Sequence, residues 1–191
     1  VLFTVLTLIA ILIGGAFEMI PTFLVKSNVP TIASVQPYTP LELHGRDIYI
    51  REGCVNCHTQ MVRPFRSETE RYGEYSKAGE FVYDHPFLWG SKRTGPDLHR
   101  LGGKYPDSWH YYHMYEPGAI SQGSIMPAYP WLFEQQINKD ETAGKISALR
   151  TIGVPYDEGY EAQANADLEK QAKRITENLT MEGIEVADDA E

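Results

Sequence analysis

Cysteine is nearly absent from this 191-residue chain: Cys54 and Cys57 are the only two. That scarcity excludes a disulfide-stapled scaffold, and a four-ligand zinc site would have to borrow scattered histidines. Positive charge is also short, with 17 Lys and Arg against 26 Asp and Glu and a net charge of -9. A phosphate backbone wants clustered Lys and Arg, so nucleic acid is excluded as a partner. An acidic surface suits a basic protein partner, and plain solubility explains the same balance. There is no internal repeat and only one long apolar run. The length leaves room for one ordinary domain plus accessories.

The two cysteines stand in Gly53-Cys54-Val55-Asn56-Cys57-His58. Cys-x-x-Cys-His is the attachment signature of a c-type haem. Two thiols at that spacing each form a thioether to one porphyrin edge, and the histidine that follows lies beneath the iron as its proximal ligand. A thioredoxin-like pair would sit at a strand-to-helix junction, and a simple disulfide leaves His58 without a role. One covalently bound haem c is therefore expected, and the single motif excludes a dihaem chain. The sixth coordination position has five contenders: Met126, Met114, Met61, His110 and His113. Met61 lies three residues past His58 and cannot reach the opposite face. Met126 sits in a proline-bracketed loop between two helical segments and is the expected ligand, since a thioether there raises the potential relative to a second imidazole. Met114, or a bis-histidine site with His110 or His113, is the alternative. Local hydrogen bonding within a helix is the plainer account of those two histidines.

Residues 1–24 are almost uninterrupted apolar sequence. Roughly 20 such residues span a bilayer as a helix. An uncleaved anchor over residues 1–25 is expected, with a cleaved signal peptide ending near Gly14-Gly15-Ala16 as the competing reading. Thr7, Ala10, Gly14 and Glu18 fall on one helical face, and small residues on one stripe admit a neighbouring helix. The stripe is expected to meet a larger membrane protein; Glu18 at headgroup level is the competing account. Covalent haem attachment takes place on the outer, oxidising side of the bacterial membrane, so residues after about Lys26 are expected in the periplasm.

The fold expected is mainly α: a single N-terminal transmembrane helix, then a class I cytochrome c-like domain with a long insertion. A proline-containing linker covers 26–38, the haem domain 39–154, and an acidic, partly helical extension 155–191. Thr39 as N-cap and Pro40 in the first turn open the first helix of the domain. Residues 59–93 are aromatic-rich and aperiodic, too long for a simple connection. Thr94-Gly95-Pro96-Asp97-Leu98 resembles the cytochrome c turn whose proline carbonyl accepts the outer N–H of the proximal imidazole. Further helices are expected over 107–115 and 138–152, the latter packing across the first and stopped by Gly153-Val154-Pro155. An exposed helix is expected within 158–178, and a mobile acidic tail from 185.

The run CVNCHTQMVRPFRSETERYGEYSKAGEFVYDHPFLWGSKRTGPDLHRLGGKYPDSWHYYH, followed by SIMPAYPWL, resembles the monohaem cytochrome c subunit of cbb3-type cytochrome c oxidase. The likeness covers roughly residues 1–152 and is specific, because generic cytochromes c lack the 59–93 insertion. It implies an electron-transfer subunit that performs no oxygen chemistry itself. Electrons would come from a dihaem cytochrome c subunit, or from a soluble or anchored cytochrome c. They would pass to haem b of a haem-copper catalytic subunit that reduces oxygen to water. The likeness also implies a bacterial inner-membrane location with the haem domain in the periplasm, and a calcium ion near the subunit interface. Segment 89–93 would face the catalytic subunit, and Arg63, Arg66 and Arg93 would be available to haem propionates or acidic partner groups. The small subunit of nitric oxide reductase shares the anchor and the single haem, but not the RPFRSETERYGEYS and HPFLWGSKRTGPDL blocks. A free-standing anchored carrier or gas sensor is the remaining rival, and a sensor would want an open sixth position.

Overall fold

The computed structural model describes residues 1–24, 29–60, 65–90 and 93–186. Lys26, Met61, Arg63 and the end of the acidic tail lie outside the described residues. Among the described residues all regular structure is helical, with one isolated parallel bridge between Gln60 and Trp89 in place of any strand. The chain is mainly α with one N-terminal apolar helix, as the sequence leads one to expect. It divides into two compact units, Val1–Val35 with Lys77–Val82, and Gln36–Ser76 with Tyr83–Glu191.

In the first unit, α1 (Leu2–Leu24) carries its apolar side chains exposed along its length. Its Leu2–Pro21 portion is long and apolar enough to cross a membrane. At about 1.5 Å per residue such a helix matches the hydrocarbon thickness. The Thr7 hydroxyl, Oγ1, donates back to Phe3 O at 2.8 Å and so needs no water. The same unit contains the 3-10 turn Ala78–Phe81, packed so closely on the 29–35 segment that a Cβ on Gly79 would lie 2.3 Å from Pro30 O.

The second unit is a helical domain. Helix α2 (Pro40–Arg51) opens with a complete capping box: Thr39 Oγ1 accepts from Glu42 N, and Glu42 Oε2 accepts from Thr39 N at 2.8 Å. Such a cap contributes on the order of 1 kcal/mol. The aperiodic 59–93 stretch contains a short helix, α3 (Arg66–Tyr72), which sequence periodicity does not reveal because two turns with an Arg66–Glu70 pair present no apolar stripe. Helix α4 (Asp107–Tyr115) is followed by the single turn α5 (Pro117–Ile120). A 3-10 turn, Lys139–Glu141, leads into α6 (Thr142–Thr151), and α7 (Ala164–Met181) comes last.

The core lies where α2, α6 and α7 meet: Leu43, Ile146 and Ala164 are buried together, with Tyr38, Leu149, Tyr156 and Tyr160 packed around them. Helix α7 is not the exposed helix expected over 158–178. Ala164, Leu168 and Leu179 are buried along one face, and Thr39 Oγ1 donates to Gln171 Oε1 at 2.8 Å. At the far end Asn178 Nδ2 donates to Asp107 Oδ2, and Glu182 Oε2 accepts from Ser108 N, capping α4. Its Glu169, Lys170, Lys173 and Glu177 are exposed away from that face, so composition hides an amphipathic helix.

Arg46 on α2 holds the 84–86 stretch of the insertion. Its Nε pairs with the buried Asp84 at 3.3 Å, and Nη2 donates to Pro86 O at 2.6 Å. The Tyr38 hydroxyl hydrogen-bonds the same carboxylate, and burial first, then Asp84, holds this phenol well above its usual range.

His44 is buried between α2 and α6. Its Nε2 lies 2.9 Å from Thr142 Oγ1, and its Nδ1 accepts from Lys145 Nζ at 3.2 Å. Burial, then the adjacent Lys145 ammonium, lowers its pKa; Asp47 and Glu141 act weakly the other way. The unfolded chain therefore binds this proton more readily than the fold does. The contribution is fully present above the ordinary imidazole pKa of about 6.5 and is lost as pH falls toward the lowered folded value. His44→Gln is expected to flatten the fall in stability between neutral and mildly acidic pH, measured by denaturant titration of the haem-loaded protein at several pH values. Parallel slopes in the two proteins would mean that His44 takes up its proton without penalty.

Candidate functional site

Helix α2 stops at Gly53, whose φ of +73° turns the chain into a left-handed conformation that glycine adopts without strain. The turn Cys54–Asn56 follows, closed by Cys57 N to Cys54 O at 3.1 Å and His58 N to Cys54 O at 2.8 Å. Both thiols are free, Cys54 half-buried and Cys57 exposed. Burial is the first cause that raises the Cys54 pKa, so this sulfur rests as a neutral thiol rather than a reactive thiolate.

His58 is held from three directions. Its Nδ1 is 2.9 Å from Pro96 O, its carbonyl accepts from the Tyr49 hydroxyl at 2.6 Å, and its ring lies against Gly95. A Cβ on Gly95 would stand 2.2 Å from His58 Cε1 and 2.6 Å from Nδ1, so only glycine leaves the ring its place. Gly95 is itself fixed, because Thr94 N and Gly95 N both donate to Cys57 O, at 3.0 and 2.9 Å. Since Pro96 O accepts only, Nδ1 carries the proton and Nε2 keeps its lone pair.

Met126 is half-buried in a loop tied to the same region. Tyr129 N donates to Met114 O at 2.9 Å, and Trp131 Nε1 donates to Glu52 Oε2 at 3.1 Å, two residues before Cys54. Hydrogen bonds from Arg51 and Trp131 hold the Glu52 carboxyl below its usual range. The Tyr129 phenol is raised by burial and then by its nearness to Cys54 and Cys57. The loop thus lies on the cysteine side of the turn. Met114 is exposed. On α4, Trp109 stacks on His113 at 4.4 Å between ring centres and meets His110 edge-on at 5.1 Å. Burial lowers the pKa of both histidines, and that of His113 is lowered further by His58.

Arg93 is almost fully buried, its Nη1 paired with Glu68 at 2.9 Å and its Nη2 3.6 Å from Asp97. Asp97 also accepts from the Ser76 hydroxyl and from His99 N. Arg66 pairs with Glu70 on the exposed side of α3. No group of three or more His, Cys, Asp or Glu arranged for a metal ion occurs among the described residues.

The chain matches, over residues 1–191, the family model described as cytochrome c oxidase, mono-heme subunit/FixO. It belongs to this family. No individual curated protein matches it. Membership makes the chain a monohaem subunit of an electron-transporting oxidase, and α1 fits a transmembrane anchor. The haem implied by the FixO family finds fitting residues here. Two free thiols flank one turn, and an imidazole with a fixed tautomer presents Nε2 over a glycine floor that a Cβ would fill.

Three contributors escape sequence reasoning: Tyr49, Gly95 and the Glu52–Trp131 pair. The glycine between Thr94 and Pro96 was a visible signal, whereas nothing in the sequence joins Tyr49 to a carbonyl nine residues later. Gly95→Ala is expected to push the His58 ring off Pro96 O and reduce the yield of haem-loaded FixO subunit several-fold. Gly102→Ala, where an added Cβ meets nothing within 4 Å, leaves that yield unchanged. The check is haem absorbance per polypeptide after purification; equal loading in both variants would show that the ring tolerates displacement.

Proposed function

We propose that this chain is the electron-relay subunit of a cbb3-type oxidase, carrying one covalently attached haem c in a periplasmic domain. Cys54 and Cys57 would hold it through thioethers, and His58 and Met126 would ligate its iron. The observation that carries this function is His58, gripped by Pro96 O and seated on Gly95 immediately after two free thiols. The group supplies reversible one-electron chemistry at iron, tuned by its ligands. The protein positions it, excludes water from one face and sets its basicity through the Pro96 carbonyl.

The chain takes one electron from a dihaem cytochrome c subunit, or from a soluble or anchored cytochrome c. It passes that electron to haem b of the haem-copper catalytic subunit, where oxygen is reduced. Helix α1 anchors it in the bacterial inner membrane, with the Thr7–Ala10–Gly14–Glu18 stripe toward that subunit. Arg63 and Arg93 serve the haem propionates or acidic groups at the interface, where calcium also has its place.

Two measurements test the assignment. Denatured wild-type chain is expected to stay positive in a haem-peroxidase gel stain, and Cys54→Ala with Cys57→Ala to lose all signal. A stain surviving the double substitution refutes covalent attachment at this motif. Met126→Leu is expected to abolish the weak near-infrared sulfur-to-iron absorption and lower the potential, while His110→Ala and His113→Ala retain the band. Loss of the band in Met114→Leu instead would transfer the ligand to that sulfur.

A further inference from the structure

The oxygen that accepts from His58 Nδ1 belongs to the peptide joining Pro96 to Asp97. A proline locks its own φ, but this peptide plane turns on ψ of Pro96 and φ of Asp97. Whatever holds Asp97 therefore helps to aim the carbonyl.

Asp97 is buried, at 5% exposure, and its carboxylate has three partners. Oδ1 accepts from His99 N at 3.1 Å, capping the turn Leu98–Arg100. Oδ2 accepts from the Ser76 hydroxyl and faces Arg93 Nη2 at 3.6 Å. Arg93 is anchored in turn by Glu68 on α3, at 2.9 Å. Arg100, at the end of the same turn, reaches back: its Nε donates to Glu74 O and its Nη2 to Tyr75 O at 3.0 Å. Glu68, Glu74, Tyr75 and Ser76 all belong to the 59–93 stretch. The insertion thus closes from two sides on the turn that follows Pro96.

We infer that Asp97 is a positioning residue for the proximal histidine, and that the insertion tunes the haem by bracing Asp97 through Ser76 and Arg93. The proposal rests on the haem c assignment above. An acceptor well aimed at Nδ1–H makes the imidazole a stronger donor to iron, and a stronger donor favours the oxidised form. Loosening Asp97 lets the Pro96 carbonyl drift off that line, and the reduced form gains. The rival account is the carboxylate's charge alone, because a buried anion also opposes the arrival of an electron. Ser76 separates the two, since losing its hydroxyl weakens the hold on Asp97 and leaves the charge in place.

The experiment is a spectroelectrochemical titration of the haem c in the intact purified oxidase. Asp97→Asn is expected to raise the reduced-to-oxidised ratio at fixed applied potential about tenfold, or about 59 mV for one electron. That is the low end of what a partner behind a metal ligand is worth. Ser76→Ala is expected to raise the ratio about threefold, one contact on the carboxylate being lost. Asp84→Asn breaks another buried ion pair of the same insertion, with Arg46 at 3.3 Å, and is expected to leave the potential unchanged. A Ser76→Ala potential equal to that of the wild type overturns the positioning role and assigns any Asp97→Asn shift to charge. A rise in Asp84→Asn matching that of Ser76→Ala overturns it as well, by showing general loosening. These two variants decide the matter even where Asp97→Asn folds poorly. Loss of haem from the denatured wild-type chain would refute the covalent assignment itself, and it is read without any potential.

Discussion

A neutral imidazole can offer one nitrogen to a metal only when the proton on the other has a place to go. In this chain the place is Pro96 O, 2.9 Å from His58 Nδ1, and much of the second unit serves to keep that distance. The carbonyl stays put because the preceding two residues are tied to Cys57 O, one residue from the ring they serve. The ring stays put because Gly95 removes a side chain from beneath it and Tyr49 holds its carbonyl. Donor and acceptor are thus fixed to each other through the motif itself, so motion of the loop moves both together.

Around this clamp, polar groups do much of the positioning and apolar groups supply the rigidity behind them. Arg46 with Asp84 fastens the 84–86 stretch of the insertion to α2, and Arg93 with Glu68 and Asp97 fastens its far end to α3. Buried ion pairs of this kind contribute little net stability, since desolvation offsets most of the attraction, but breaking one side is costly because it strands the other. Geometric definition near the haem motif is what they provide. Stability comes from Leu43, Ile146 and Ala164, where truncation of a large residue typically costs about 2–5 kcal/mol.

Local signals were readable in the sequence and distant ones were not. The Thr39 cap followed by Pro40, the Asp107–Tyr115 helix and the apolar first helix announce themselves through short-range spacing. The Cys-x-x-Cys-His turn does so through residue identity alone. Helix α3 was missed because its pairs are electrostatic, and α7 was misjudged because its few buried residues are diluted by charged neighbours. The Tyr49 and Trp131 contacts join residues by a single bond each, which no periodicity encodes. Gly95 shows the intermediate case: a glycine is visible in any sequence, but its necessity appears only when a ring is found 2.2 Å from its absent Cβ.

The burial of Ala164 against Leu43 has a bearing on how the chain is made. Synthesis runs from the N-terminus, so the two thiols emerge long before the helix that completes the core around Leu43 and Ile146. Contacts that distant in sequence form slowly, because a large loop must close first. An interval therefore exists in which the cysteine turn has been synthesised and one wall of its domain is still missing. During that interval the turn carrying both sulfurs stands on a domain whose core is still open, and the final helix completes it.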